Sequence, residues 1–157
     1  MAGPISTPKT RVYIAPYTDE STATEYDALP WERIGTVLDV GEFGPQYQEI
    51  TYTPLDDGIV HRLKGALDNG SIPLILGRDP DNAGQADLLS ALPDYDNYAF
   101  KIELNDKPSG AGAKPTRFMF PGKAMSYRTQ IGDANQIVRA NVNIAIDGDI
   151  VTGARGT

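Results

Sequence analysis

His61 is the single histidine of this chain, and Asp56 and Asp57 stand five and four residues before it. An imidazole beside a carboxylate is the elementary unit of general acid–base chemistry, because the carboxylate orients the ring and favours its charged form. The spacing lets them meet: Asp56-Asp57-Gly58 reads as a turn, in which Asp tolerates local turn geometry and Gly supplies positive φ, and His61 lies on the strand that follows. The turn by itself accounts for these residue types. A lone histidine on a strand is ordinarily a surface or packed ring, so no catalytic role is expected for it.

Two further groupings have residue types that could do chemistry. Asp79, Asp81 and Asp87 could supply oxygen ligands to a cation, but a calcium loop needs ligands alternating over about twelve residues with a closing bidentate Glu. No Glu closes this one, and helix capping accounts for Asp79. Ser109-Gly110-Ala111-Gly112 is glycine-rich, yet it lacks the Gly-Lys-Ser/Thr of a phosphate loop and joins two predicted strands rather than a strand to a helix. It reads as a mobile hairpin tip. Of the eight tyrosines, Tyr47, Tyr52 and Tyr98 lie on predicted strands in the acidic part of the chain or at its edge. Packing explains them better than base stacking. No catalytic, cofactor-binding or metal-binding residue is therefore expected, and the chain is expected not to be an enzyme.

Composition narrows the field further. The 157 residues suit one domain, and 40% hydrophobic content is enough for a core. The absence of cysteine excludes a disulfide framework, thiolate metal sites and a cysteine nucleophile. No apolar run approaches the roughly 20 residues that cross a bilayer. Met1-Ala2-Gly3-Pro4 carries no basic patch followed by an apolar stretch, so no secretory signal is expected. These features predict a soluble protein first used in a cytoplasm.

The elements that must position these residues are mostly short strands. Residues 1–30 hold four prolines and a polar tract, Tyr17 to Thr24. Only Arg11 to Ala15 could be a strand, so the segment reads as an extended arm, disordered or ordered by a neighbour. Trp31–Ile34 and Thr36–Val40 form one apolar-rich stretch with Gly35 as a bulge or bend. Tyr47–Thr53 and Ile59–Leu67 are strands, and Asp68-Asn69-Gly70 is a hairpin turn. Ile72–Leu76 is a continuous apolar run, predicted to be buried on both faces, with Pro73 near an edge. Asp79 as N-cap, Pro80 at the first position and Pro93 at the end predict one helix. Tyr98, Phe100, Ile102 and Leu104 alternate with polar or small partners. Thr116–Pro121 and Ala124–Gln130 follow, and Val138 to Ile146 alternate through five repeats. Some eight strands and one helix predict a mainly β fold, a β-sandwich or small barrel flanked by a helix.

Charge is uneven along the chain. The net is −7, which argues against a grip on nucleic acid. Residues 1–55 and 56–96 each carry three basic and eight acidic side chains, whereas residues 97–157 carry eight basic and five acidic. Two electrostatically different faces would suit head-to-tail association.

The run Leu55-Asp56-Asp57-Gly58-Ile59-Val60-His61-Arg62-Leu63-Lys64-Gly65-Ala66-Leu67-Asp68-Asn69-Gly70, the segment Asp81 to Leu89, and the last strand into Ile146-Asp147-Gly148 together resemble the major tail tube proteins of long, non-contractile phage tails. The resemblance runs from about Trp31 to Gly148, and much of its weight comes from the order of elements. It divides the chain into an arm (1–30), a tail-tube β domain (31–148) and a C-terminal tail (149–157). It implies a virion structural subunit, made in a host cytoplasm, that forms hexameric rings stacked head to tail. DNA would pass through the central channel without specific binding. Implied partners are further copies of itself and the tape-measure, terminator and distal tail proteins, with no membrane. The same fold underlies contractile-tail tubes and the tube of type VI secretion. Alternatives are another virion β-protein, such as a head–tail completion or decoration protein, or a ligand- or glycan-binding sandwich.

An acidic channel wall would let DNA slide by repelling its phosphates. The arm, the loop Gly41 to Tyr47 and the tip Lys107 to Pro115 are the segments expected to order on assembly. On this reading, deleting residues 1–30 leaves a folded monomer that forms no tubes, to be checked by electron microscopy.

Overall fold

A computed structural model of the chain describes residues 3–156. Met1 and Ala2 of the expected arm and Thr157 of the expected tail lie outside the described residues. The elements run β1 (Arg11–Pro16), α1 (Ala23–Asp27), β2 (Glu32–Ile34), β3 (Val37–Asp39), β4 (Gln46–Tyr52), β5 (His61–Asp68), β6 (Ser71–Gly77), α2 (Ala83–Ala91), β7 (Tyr98–Glu103), β8 (Arg117–Gln130), β9 (Arg139–Ile146) and β10 (Val151–Gly153). The fold is mainly β, as expected.

One antiparallel sheet has the order β2-β1-β7-β8-β9-β6-β3, with β10 beside the start of β8. Its two outermost strands, β2 and β3, are consecutive in the chain and separated only by Gly35 and Thr36. Three residue steps span at most about 11 Å, so the sheet must curl until its edges nearly meet. The result is a small barrel with an unpaired seam. Of the two expectations for Gly35, a bulge or a bend, the bend is the one found: it is the point where the chain crosses from one edge of the sheet to the other.

The barrel interior is filled by one set of alternating side chains from each strand. Val12, Ile14, Ile34, Ile72, Leu74, Leu76, Phe100, Ile102, Phe120, Val142 and Ile144 are all at most 3% exposed. The alternation predicted for β9 holds: Ala140, Val142, Ile144 and Ile146 point inward. Strand β6 differs from expectation. It alternates, with Ile72, Leu74 and Leu76 inside and Ser71 and Pro73 exposed, because its outer face has no covering layer. The two predicted strands 116–121 and 124–130 are one long β8, which absorbs Met125 as a bulge opposite β9.

The segment expected to be a loose arm is largely built in. β1 lies between β2 and β7, and α1 covers the outer face of β1, β7 and β8 through Tyr26, packed with Ala15, Ala99 and Met119. That second layer explains why β7 is buried on both faces. Lys101 points into it, 4.5 Å from the Tyr13 ring and 5.0 Å from the Trp31 ring, with Glu103 at 3.1 Å. A bidentate ion pair anchors α1: Arg117 Nε and Nη2 each lie 2.8 Å from the Asp27 carboxylate. Burial alone would raise the Asp27 carboxyl, but hydrogen bonds from Arg117 and Lys114, together with their charges, hold it below its usual value.

Helix α2 closes the seam. Its N-cap is Asn82, not Asp79. The Asn82 Oδ1 accepts from Gln85 N at 2.9 Å and from Gly35 N at 3.2 Å. Asp79 instead stabilises the turn before the helix by accepting from Asp81 N. Gln85, 2% exposed, donates through Nε2 to the Gly35 and Gly77 carbonyls, both at 2.9 Å, and accepts from Asp79 N at 2.9 Å. Gly84 allows the helix this close, since a side-chain carbon there would overlap the Arg33 carbonyl.

Gln85→Leu leaves two carbonyls and one N–H unpaired. It should destabilise the protein by about 3 kcal/mol, lowering the melting temperature by about 6–12 °C. Deleting residues 1–30 removes an interior strand, so the product should be unfolded by circular dichroism rather than a folded monomer. Because the Asp27 carboxyl is depressed in the folded state, its contribution is complete above the ordinary carboxylate range and is lost as pH falls through the folded value. Asp27→Asn should therefore lower stability at pH 7 and shrink the loss of melting temperature on acidification below about pH 4.

Candidate assembly surface

Strands β4 and β5 form a two-stranded sheet of their own. All of β4 is exposed, and so is all of β5 except the half-buried His61 and Gly65. The alternating sequence is that of a half-buried strand, but no layer among the described residues buries it. Register defines two faces. Ile50 opposes Leu63 and Tyr52 opposes His61 on one; Glu49 opposes Lys64 and Thr51 opposes Arg62 on the other. Ile50 is 48% and Leu63 54% exposed. The polar face carries an ion pair, Arg62 Nε to Glu49 Oε1 at 2.6 Å. Tyr47 shares the polar side with Glu49 and Thr51 by alternation, and Lys64 Nζ sits 5.0 Å from its ring. The register shift opposite Tyr47–Glu49 is an extra residue in β5 between Lys64 and Leu67. Past Tyr52, the connecting loop exposes Leu55, Ile59 and Val60. At the hairpin's base a cleft of about 520 Å³ is lined by Phe43, Pro45, Leu67, Phe118 and Ile150.

Other strand edges are open as well. From Lys123 to Gln130, β8 pairs with β9 on one side and, among the described residues, with no strand on the other. From Ser71 to Leu74, β6 pairs among the described residues only with β9. The β8–β9 connection is exposed throughout and carries Ile131 and Ile137. Rows of unpaired N–H and C=O groups template further strand pairing, and apolar side chains beside them mark an interaction surface.

The structure does bring His61 and Asp57 together: Nε2 lies 2.8 Å from Oδ2, with the Tyr52 ring stacked on the imidazole at 5.2 Å. Asp57 Oδ1 accepts from Ile59 N at 2.9 Å. That bond first, and His61 second, hold its carboxyl below the usual range. Asp56 is exposed beside them. The group sits open to water at the hairpin tip, and its contacts are those of a turn braced by a stacked ring. Among the described residues, no three His, Asp or Glu side chains converge as a metal set, and Asp79, Asp81 and Asp87 do not come together as one. Ser109 to Gly112 join β7 to β8, and the return of this tip is tied down. Lys114 and Gly156 exchange backbone hydrogen bonds at 2.6 and 3.0 Å, and Thr116 N donates to Asp106 at 2.7 Å. In the loop Gly41 to Tyr47, Phe43 packs 5.5 Å from Phe118. The three segments expected to order only on assembly are therefore mostly held by the body. The unheld element is the β4–β5 hairpin, which the sequence presented as an ordinary pair of strands.

No protein-family model and no curated protein matches this chain. Solved structures do. The sheath/tube terminator of an extracellular contractile injection system superposes with a TM-score of 0.68 at 18% identity, covering 98% of this chain and 99% of that one. A chain of the anti-feeding prophage baseplate gives 0.70 at 12% identity, with 98% of each chain covered. The SPP1 tail tube gives 0.65 at 14% identity, covering 96% of this chain and 80% of that one. The likeness is one of fold: this chain folds as those tube, terminator and baseplate chains do, which is the fold that the sequence resemblance implies.

Ile50→Ser combined with Leu63→Ser should leave the unfolding free energy of dilute protein within about 1 kcal/mol of wild type, because neither side chain contributes to the core. The same variant should bind less of an apolar-surface dye.

Proposed function

We propose that this chain is a structural, non-enzymatic subunit of a phage-type tail tube. Copies join side by side into a closed ring, and rings stack into a hollow tube through which DNA is delivered. The carrying observation is the β4–β5 hairpin, about 23 Å long, with two open edges and one apolar face. A two-stranded hairpin is marginal on its own in water. Strand pairing with a neighbour supplies the missing backbone partners, and a neighbour's surface covers Ile50, Leu63 and Tyr52. Such a contact is heterologous: one copy's hairpin meets a different surface of the next. It therefore closes into a ring when the rotation per subunit divides a full turn. Six copies per ring is the number implied by the family resemblance.

In such a ring the polar face of the hairpin, with Thr51, Glu49, Arg62 and Lys64, turns toward the water-filled channel. Two cations against one carboxylate do not make this face acidic, so the excess negative charge of the chain belongs elsewhere. The product would be a virion component, made in the host cytoplasm, with terminator, tape-measure and distal tail proteins as partners at its ends.

Negative-stain electron microscopy of the concentrated protein tests this. Hollow filaments of six-fold cross-section are expected, and Ile50→Asp with Leu63→Asp should give only folded monomers. Single rings that never stack would point instead to a ring-forming cap or completion protein. Monodisperse monomer at all concentrations, in wild type and variant alike, would refute the proposal.

A further inference from the structure

The two ends of β7 carry opposite charge. Beyond Glu103, a cleft of about 440 Å³ is rimmed by Lys9, Arg11, Lys107 and Lys114, with the Asp27–Arg117 pair at its wall. Lys114 reaches Asp27 at 3.2 Å. Lys9, Arg11 and Lys107 have no ion-pair partner among the described residues. Six cations line the cleft against two carboxylates, Asp27 and Glu103, and in a chain of net charge −7 this is a local field opposite to that of the molecule.

Before Tyr98, at the other end of the same strand, the loop Pro93-Asp94-Tyr95-Asp96 projects between α2 and β7. It is a fixed shape. Asp94 Oδ1 accepts from Asp96 N at 3.0 Å and Oδ2 from Tyr98 Oη at 3.1 Å. Tyr95, at its apex, is 90% exposed. Asp87 on α2 lies close by: burial, the Asp94 hydrogen bond and the charges of Asp94, Asp87 and Asp96 together push the Tyr98 phenol up. A rigid loop presenting an exposed Tyr among carboxylates has the form of an interface anchor, with an aromatic that fills a pocket and charges that set register.

We infer that the basic cleft at the Glu103 end of β7 receives the Asp94–Asp96 loop of a second copy of this chain, Tyr95 inserted and the carboxylates facing Lys9, Arg11 and Lys107. Loop and cleft stand at opposite ends of β7, about 17–20 Å apart, so no copy can reach its own cleft. A shift along the strand direction brings one copy's loop to the next copy's cleft. The contact is heterologous, and copies related by such a shift propagate rather than close. This rests on the tube reading above, for which it supplies the ring-to-ring contact. It also assigns the chain's charge asymmetry to the stacking ends rather than to the channel wall. A small anion would also be drawn to the cations, but only a second copy accounts for the matching acidic loop.

Two charge-reversed full-length variants test the contact: Asp87→Lys with Asp96→Lys, which spares the Asp94–Tyr98 bond, and Lys9→Glu with Lys107→Glu. Each alone should associate about tenfold or more weakly than wild type by sedimentation at low salt. An equimolar mixture should recover association, because basic loops then meet acidic clefts while the unaltered loop and cleft still match. Tyr95→Ala should weaken wild-type association without lowering the melting temperature. Wild-type behaviour of both charge variants, or no recovery on mixing, would overturn the contact. So would inorganic phosphate binding in the cleft with self-association unaffected by either reversal. Electron microscopy separates this from the ring reading. Closed rings whose stacking ignores charge reversal would sink this contact alone. Charge-governed association without rings would sink the ring reading alone.

Discussion

One buried amide closes the molecule. The sheet has β2 at one end of its hydrogen-bonded path and β3 at the other, and nothing in the ladder joins them. Gln85 bridges the gap by holding Gly35 on one side and Gly77 on the other, while Asn82 takes the Gly35 N–H. An unsatisfied polar group in that position would cost more than any single apolar contact in the core could return. The capped and docked helix α2 is therefore what converts a curled sheet into a barrel. The interior set from Val12 to Ile144 can pack only once the seam is shut.

The closed body sharpens the contrast with what it leaves outside. Inside the barrel and under α1, every buried side-chain nitrogen or oxygen among the described residues has a partner. Outside, the β4–β5 hairpin keeps both edges open and Ile50 and Leu63 half in water. The core is thus fully satisfied, and what is left open is the hairpin together with the free edges of β8 and β6. The same logic separates the hairpin from the glycine-rich tip and the N-terminal segment, which spend their hydrogen bonds on the body.

Charge follows a similar division. The ion pairs nearest the interior, Asp27–Arg117 and Lys101–Glu103, are short and internally matched, and so contribute little to the outer field. What reaches solvent is an excess of carboxylate around α2 and the loop before β7, and an excess of cation where β1 begins and β7 ends. A net charge alone says only that the protein repels polyanions on average. Its placement at the two ends of one strand is what makes it directional.

Much of this was legible in the residues. Period-two alternation marked β7 and β9, because a strand with one face on a core must alternate. Turn chemistry at Asp56-Asp57-Gly58 and Asp68-Asn69-Gly70 placed the ends of β5, since those φ values are local. The order of elements was enough to suggest the tail-tube fold. The N-terminal strand was legible as Arg11 to Ala15, but its place inside the sheet was not, because its burial comes from β2 and β7, which local pattern cannot supply. The helix start was misread because Asp79 and Asn82 are both good caps by type, and only the Gly35 backbone, 47 positions away, decides between them. The amphipathic character of the β4–β5 strands was determined by sequence alone. That its apolar face would find no partner within the same chain was decided by the tertiary structure, since burial belongs to the whole arrangement of layers and not to any one strand.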